Sequence, residues 1–272
     1  MNNKKNILPI SNEIEINRLV NQAMGWEEET ENLLDRIGIQ TGWKCADLGC
    51  GPIGVLKPLS LRVGEFGHVL GLDANPVCVQ TAQNYIKENR LNNVEVIQGD
   101  LYENDLKPQS FNLTHIRFVF SQIGCDDELL RKMIHLTRPG GIIVSQESDW
   151  ATWNCYPINP SWEKMRNALI TSFELEGGDI NAGRRTYKMF WEVGLDNIQI
   201  RTAILALPVG NNFRSGMNLL ARSMRERILK SNILEEIEFN DALLECDAIL
   251  NDPNNIIISY ILCQVWGKVR RS

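Results

Sequence analysis

Acids and glycines crowd one stretch of this chain, Asp47-Leu48-Gly49-Cys50-Gly51-Pro52-Ile53-Gly54. Glycine lets a backbone turn tightly and approach a ligand with no Cβ in the way, and a following helix offers unpaired N–H groups. A second acid, Asp73, ends the apolar run Val69-Leu70-Gly71-Leu72 and stands 22 residues after Gly51. In a βαβ nucleotide fold a carboxylate at that distance accepts hydrogen bonds from ribose hydroxyls. Asn75-Pro76 can cap the next helix independently, which leaves Asp73 for that task. A third acid, Asp100 after Gln98-Gly99, is placed to receive an exocyclic amine such as the N6 of adenine.

Other candidates carry two readings each. Glu147 and Asp149 can orient or deprotonate a hydroxyl or amine, or they pair with Arg184 and Arg185 as a structural clamp. Trp150, Trp153 and Tyr156, with Asn154 among them, can wall a planar substrate or cage a cation, or the tryptophans belong to a lid core. Trp26, beside Gly25, is a lid aromatic over a substrate or a core anchor. Arg18 and Gln22 stand one helical turn apart and share a polar face that points at a ligand or at solvent. His115 falls within a predicted strand, as a base or as a buried structural imidazole, and Arg117 follows at the strand end, where it can meet a carboxylate. No metal constellation stands out.

These residues need a scaffold, and the hydrophobic pattern supplies one. It predicts one or two helices over 12–37, then strands at 43–48, 68–72, 94–97, 111–116 and 142–146. Helices are expected between them at about 54–63, 76–90 and 126–137. Residues 196–206 alternate as a sixth strand, and Met217, Leu220, Ala221, Met224 and Ile228 form a helical stripe suited to a lid or a homodimer contact. Alternating strands and helices make a parallel sheet covered on both faces, with ligands at the strands' carboxyl ends.

Composition narrows the partners. The 272 residues are 43% hydrophobic and 23% charged, ordinary for a globular chain with a sizeable core. A net charge of −6 argues against a broad nucleic-acid footprint. Seven scattered cysteines without a Cys-x-x-Cys pair read as reduced thiols. No apolar run is long enough to span a bilayer and no signal-type segment follows Met1, so a cytoplasmic location is expected.

Asp47-Leu48-Gly49-Cys50-Gly51, Gly71-Leu72-Asp73, Gly99-Asp100-Leu101 and Arg138-Pro139-Gly140-Gly141 together resemble the class I, Rossmann-like S-adenosylmethionine-dependent methyltransferases. The resemblance covers roughly residues 35–147. It implies a doubly wound α/β fold with a seven-stranded sheet in the order 3-2-1-4-5-7-6, the last strand antiparallel, and 255–267 looks like that strand. It implies S-adenosylmethionine held by Asp47, Gly49, Gly51, Asp73, Asp100 and Leu101; Ala74 and Gln22 are further candidate cofactor contacts by position, as is Arg117, which can instead meet the substrate. Many members place a third glycine where this chain has Ile53. The expected organisation is an N-terminal helical lid segment, 1–35, a cofactor-binding core, 36–147, and 148–272 as the remainder of the same domain, with lid insertions at 148–180 and 205–250. Glu147, Asp149 and His115 are the candidates for proton handling, and a small molecule is the expected methyl acceptor. An RNA methyltransferase is disfavoured by the absence of a basic appendage. A nicotinamide oxidoreductase matches Gly49-x-Gly51-x-x-Gly54, but not the acid ahead of the turn or the Pro-Gly-Gly turn. A non-catalytic cofactor-binding protein is the remaining alternative.

Overall fold

The structure, a computed structural model, describes residues 13–124 and 126–271. The first twelve residues of the expected lid segment, and Cys125, lie outside them.

Seven strands form the main sheet: β1 (Lys44–Leu48), β2 (His68–Asp73), β3 (Val94–Gln98), β4 (Phe111–Arg117), β5 (Thr137–Asp149), β6 (Asp196–Ala203) and β7 (Ile261–Lys268). Their order is 3-2-1-4-5-7-6, and β7 runs antiparallel to both neighbours, as the resemblance implies. Helices α1 (Glu13–Gly25) and α2 (Glu27–Ile37) precede the sheet. Then come α3 (Leu56–Val63), α4 (Pro76–Glu88), α5 (Phe120–Ile123), α6 (Asp127–Leu136), α7 (Pro160–Leu175), α8 (Ala182–Glu192), α9 (Gly216–Lys230) and α10 (Glu236–Asn251).

Strand alternation sorts the core. Cys45, Val69 and Leu113 face one side, where they pack with Leu33 and Leu34 of α2 and Leu56 and Leu59 of α3. Ala46, Leu70 and Ile116 face the other, against Leu130 and Met133 of α6 and Phe190 of α8. Each such leucine contributes roughly 1.5–3 kcal/mol by leaving water. Caps follow the sequence signals: Asn75 accepts the N–H groups of Val77 and Cys78 at the start of α4, with Pro76 in the first helical turn.

A third cluster, built mainly from α7, α9 and α10, lies beside the sheet, and α1 packs on α9. The α9 stripe of Met217, Leu220, Ala221, Met224 and Ile228 is buried in it, so this stripe packs within the chain and is not available as a dimer face. Several strand boundaries differ from the sequence pattern: β5 already begins at Thr137 and the sixth strand ends at Ala203. β5 continues through Glu147 to Asp149 because these residues pair with Cys263 and Ile261 of β7. The expected strand 255–267 breaks: Ile256–Ile258 joins Asn154–Tyr156 and Ala206–Leu207 in a small antiparallel sheet, and β7 begins only at Ile261. Tyr260 stands at the break. Among the described residues, no helix is long and apolar enough to cross a membrane.

Candidate active site

The carboxyl ends of β1, β2 and β4 open on a cavity of about 270 Å³. β1 and β4 are the neighbours at which the strand order reverses, where open α/β sheets form their binding crevice. Gly49, Gly51, Asp73, Ala74 and Leu101 line it, together with Gln22 of α1 and Arg117 at the end of β4.

The glycine turn is shaped by its φ angles. Gly49, Gly51 and Gly54 have φ of +70°, +62° and +49°, in the region that disfavours side chains. At Gly51 a Cβ would meet nothing within 4 Å, so its backbone is open; at Gly54 it would fall 2.2 Å from Asp47 Oδ2. That oxygen accepts the Val55 N–H at 2.9 Å and closes the turn. The glycine displaced to position 54 therefore serves the turn directly. Asp73 reaches back to the same loop, accepting the Gly51 N–H on Oδ2 at 2.7 Å and the Asn75 N–H on Oδ1 at 2.8 Å. Burial raises its carboxyl pKa, these N–H groups oppose the rise, and the Asp47 charge adds to it.

Arg117 is the cation of this cavity. It donates to Thr30 Oγ1 at 3.2 Å and to the Gly54 carbonyl at 3.1 Å, and pairs with no carboxylate among the described residues. Burial pushes its guanidinium pKa down, against the pull of Asp47. Phe118 follows with a φ of +58°, a strained value for a residue with a side chain. It lines both this cavity and a second one of about 40 Å³, which adjoins along Gln22, Phe118 and Gln122. Trp150 and Trp153 line the second cavity with ring centroids 4.5 Å apart and nearly perpendicular.

Several expected site residues stand elsewhere. Asp47 is buried behind the turn, with Oδ1 2.7 Å from His115 Nδ1. His115 Nε2 accepts from Gln146 Nε2 at 2.9 Å, so the imidazole carries its proton on Nδ1 toward Asp47. It is a fully buried link between β1, β4 and β5 rather than a base. Glu147, also fully buried, accepts the N–H groups of Val119, Phe120 and Ser121 at 2.9–3.1 Å and thereby fixes the loop that carries Phe118. Burial pushes its carboxyl pKa up to about 7 despite those donors. Asp149 caps the turn after β5 through Ala151 and takes a two-point contact from Arg184 at 2.5 and 2.6 Å. Burial works against its charge, yet Arg184 holds its pKa below the usual carboxylate range. The clamp reading thus fits Asp149, while Glu147 is engaged by backbone. Neither acid lines either cavity, because β5 runs on through both.

Asp100 turns to its own loop, accepting from Tyr102 and Glu103. Asn154 and Tyr156 lie in the small sheet, Tyr156 being 67% exposed, away from both cavities. Trp26 is fully buried and donates its Nε1–H to the Tyr260 hydroxyl at 2.9 Å, so it reaches the site only through that residue. Sequence reasoning missed Tyr260, Phe118 and Gln122. Tyr260 sits inside an apolar run that reads as plain strand, and nothing local marks it.

Residues 39–192 match the family described as a methyltransferase domain. The chain is 28% identical over 145 residues to a demethylmenaquinone methyltransferase of Listeria welshimeri, covering 53% of this chain and 58% of that protein. The chain thus spans little more than half the length of the curated relatives it first matches. Its fold resembles that of YcgJ from Bacillus subtilis, with a TM-score of 0.58, 14% identity and coverage of 90% and 100% of the two chains. It also resembles Haemonchus contortus phosphoethanolamine N-methyltransferase 2, solved with phosphomonomethylethanolamine and S-adenosylhomocysteine, with a TM-score of 0.57, 14% identity and coverage of 90% and 53%. At such identities the likeness is one of fold. Since the domain match extends over more than half of its residues, this chain belongs to the methyltransferase domain family.

Proposed function

We propose that this protein is an S-adenosylmethionine-dependent methyltransferase that modifies an oxygen or nitrogen of a small molecule. The observation that carries the reading is the pairing of a half-buried acid, Asp73, and a half-buried cation without a carboxylate among the described residues, Arg117, around one cavity at the sheet's switch point. The residues suit the cofactor. Each Asp73 oxygen has accepted one N–H and keeps a lone pair for a ribose hydroxyl. Arg117 would take the amino-acid carboxylate, and the open backbone at Gly51 admits that end closely. Ala74 and Leu101 would flank the adenine, and Gln22 would close the cavity from α1. When bound, the cofactor supplies an electrophilic methyl group on sulfur.

The chain's own part is alignment and removal of water. Phe118 and Gln122, held by the Glu147-anchored loop, separate the two cavities and set the line between donor and acceptor. No carboxylate or imidazole among the described residues lines the second cavity. Orientation and desolvation therefore carry the rate in this reading, and a general base does not. The Listeria relative and the Haemonchus neighbour, named for methylation of small molecules, support that class of acceptor.

Calorimetric titration of the chain with S-adenosylmethionine and S-adenosylhomocysteine tests the pocket. Asp73→Ala should weaken both by roughly 1–3 kcal/mol, and an unchanged affinity removes Asp73 from the site. Turnover is then read as the gain of one methylene in mass on a candidate acceptor, which separates an enzyme from a binding protein.

A further inference from the structure

Tyr260 immediately precedes β7 and is buried, and its hydroxyl oxygen accepts two N–H groups. Gln22 Nε2 lies at 2.8 Å and Trp26 Nε1 at 2.9 Å. The Gln22 amide is oriented by its other end, where Oε1 takes a hydrogen bond from Arg18 Nη1 at 3.3 Å, and an indole nitrogen is a donor only. A phenol oxygen offers two acceptor positions and one proton. Both acceptor positions are therefore filled and the proton is left over; among the described residues none accepts it. Burial raises the phenol's pKa, even with Gln22, Trp26, Arg18 and Arg117 favouring the anion, so the hydroxyl keeps its proton at neutral pH.

Tyr260 lines the second cavity, as does Gln22, whose amide reaches the hydroxyl. The space holds only a few non-hydrogen atoms, enough for the end of a small molecule, and it shares Gln22, Phe118 and Gln122 with the first cavity. Its walls include the rings of Phe118, Trp150, Trp153 and Phe213. Its electrostatics are one-sided. Arg18 lines it, while the Glu15 carboxylate, 2.7 Å from Arg18, does not line the cavity. A cation brought there loses its water and gains no counter-charge.

We propose that the Tyr260 hydroxyl donates a hydrogen bond to the methyl acceptor, which is a flat, neutral or anionic molecule presenting an oxygen, such as a phenol or an enol whose O–H proton leaves to solvent as the oxygen takes the methyl group, and not an alkylammonium. This deepens the reading of the first cavity as a cofactor site and rests on it. Tyr260 is then the residue that selects and orients the acceptor, while Gln22 and Trp26 act through it by fixing its proton.

Three probes share one ring and differ at its end: phenol, toluene and benzylammonium. Each is titrated into the whole chain, with and without S-adenosylhomocysteine, and followed by the fluorescence of Trp150 and Trp153. In the wild type, phenol is expected to bind about tenfold or more tighter than toluene, and benzylammonium most weakly. Tyr260→Phe should bring phenol down to the toluene level and leave toluene and S-adenosylhomocysteine as in the wild type. Equal phenol affinity in wild type and a folded Tyr260→Phe variant overturns the proposal, as does a preference for benzylammonium or a wild type that ignores phenol. Should the variant not fold, the wild-type ranking decides: phenol first supports the proposal, and any other order sinks it. Failure of S-adenosylhomocysteine to bind the wild type is a separate result that refutes the cofactor reading, while the probe ranking without it still judges Tyr260.

Discussion

At the scale of single residues, polar groups in this protein are distinguished by whether the protein has already satisfied them. Glu147 and Asp149 have the composition of catalytic acids, yet their oxygens are engaged by backbone N–H groups and by Arg184. Asp73 and Arg117 look no different in sequence, yet keep capacity toward a cavity. Glu147 leaves a signature in stability. The folded protein holds its proton up to about pH 7, whereas the unfolded chain releases it near 4.5. Folding therefore takes up a proton between those values, and stability falls as pH rises through that window, by up to about 3 kcal/mol from this group. Denaturant melts from pH 5 to 8 should show the slope in the wild type and a flatter one in Glu147→Gln. An identical slope in both would mean that Glu147 does not titrate in this range.

Turns and helices decide what those residues can reach. The glycine turn separates two effects that sequence alone merges. Gly54→Ala places a Cβ on Asp47 Oδ2 at a φ of +49° and disrupts the bond to Val55. It should cost at least about 2 kcal/mol of stability, read by thermal melting. Gly51→Ala meets no protein atom, so it should cost roughly 1–2 kcal/mol in stability but add a methyl group at the cavity and weaken S-adenosylhomocysteine binding. A larger loss of affinity from Gly54→Ala in folded protein, with Gly51→Ala silent, would reverse these roles. Helix α1 shows an element whose pattern misleads. Ile14, an apolar residue, is exposed there, while the charged Glu15 and Arg18 are buried as an ion pair. The helix covers a cavity rather than the sheet. Arg18 is the nearest cation to the buried Glu15 carboxylate, with Ser223 and Arg227 also acting on it, so Arg18→Ala should destabilise the fold by roughly 1–3 kcal/mol in denaturant melts.

Across the whole molecule, the layer beside the sheet is tied together by Arg214, which donates to the carbonyls of Leu207, Ile249, Leu250, Asp252 and Asn255. These acceptors come from the small sheet, the end of α10 and the loop after it. A lysine cannot span five carbonyls, so Arg214→Lys should cost roughly 2–4 kcal/mol. Hydrogen exchange should quicken over residues 206–258 and stay unchanged in β1 to β5; uniform quickening would show that the two layers unfold as one. A polar relay spans the other side of the assembly. Asp47, His115, Gln146 and Gln264 are hydrogen-bonded in series across β1, β4, β5 and β7, and Gln264 reaches Arg201 of β6. Each step joins residues far apart in the chain.

The fold and half of the residues that line the first cavity were legible in the residue order because they follow local rules. Short apolar runs mark β1 and β2, glycines mark the turn after β1, and an acid closes β2, all within one βαβ segment. The second cavity was not legible. Tyr260 meets Gln22 and Trp26 across more than two hundred residues, and Glu147 is occupied only because β7 folds back along β5. Whether a carboxylate, an imidazole or a phenol keeps a proton or a lone pair to offer depends on which distant groups have already taken it, and that is settled by packing alone.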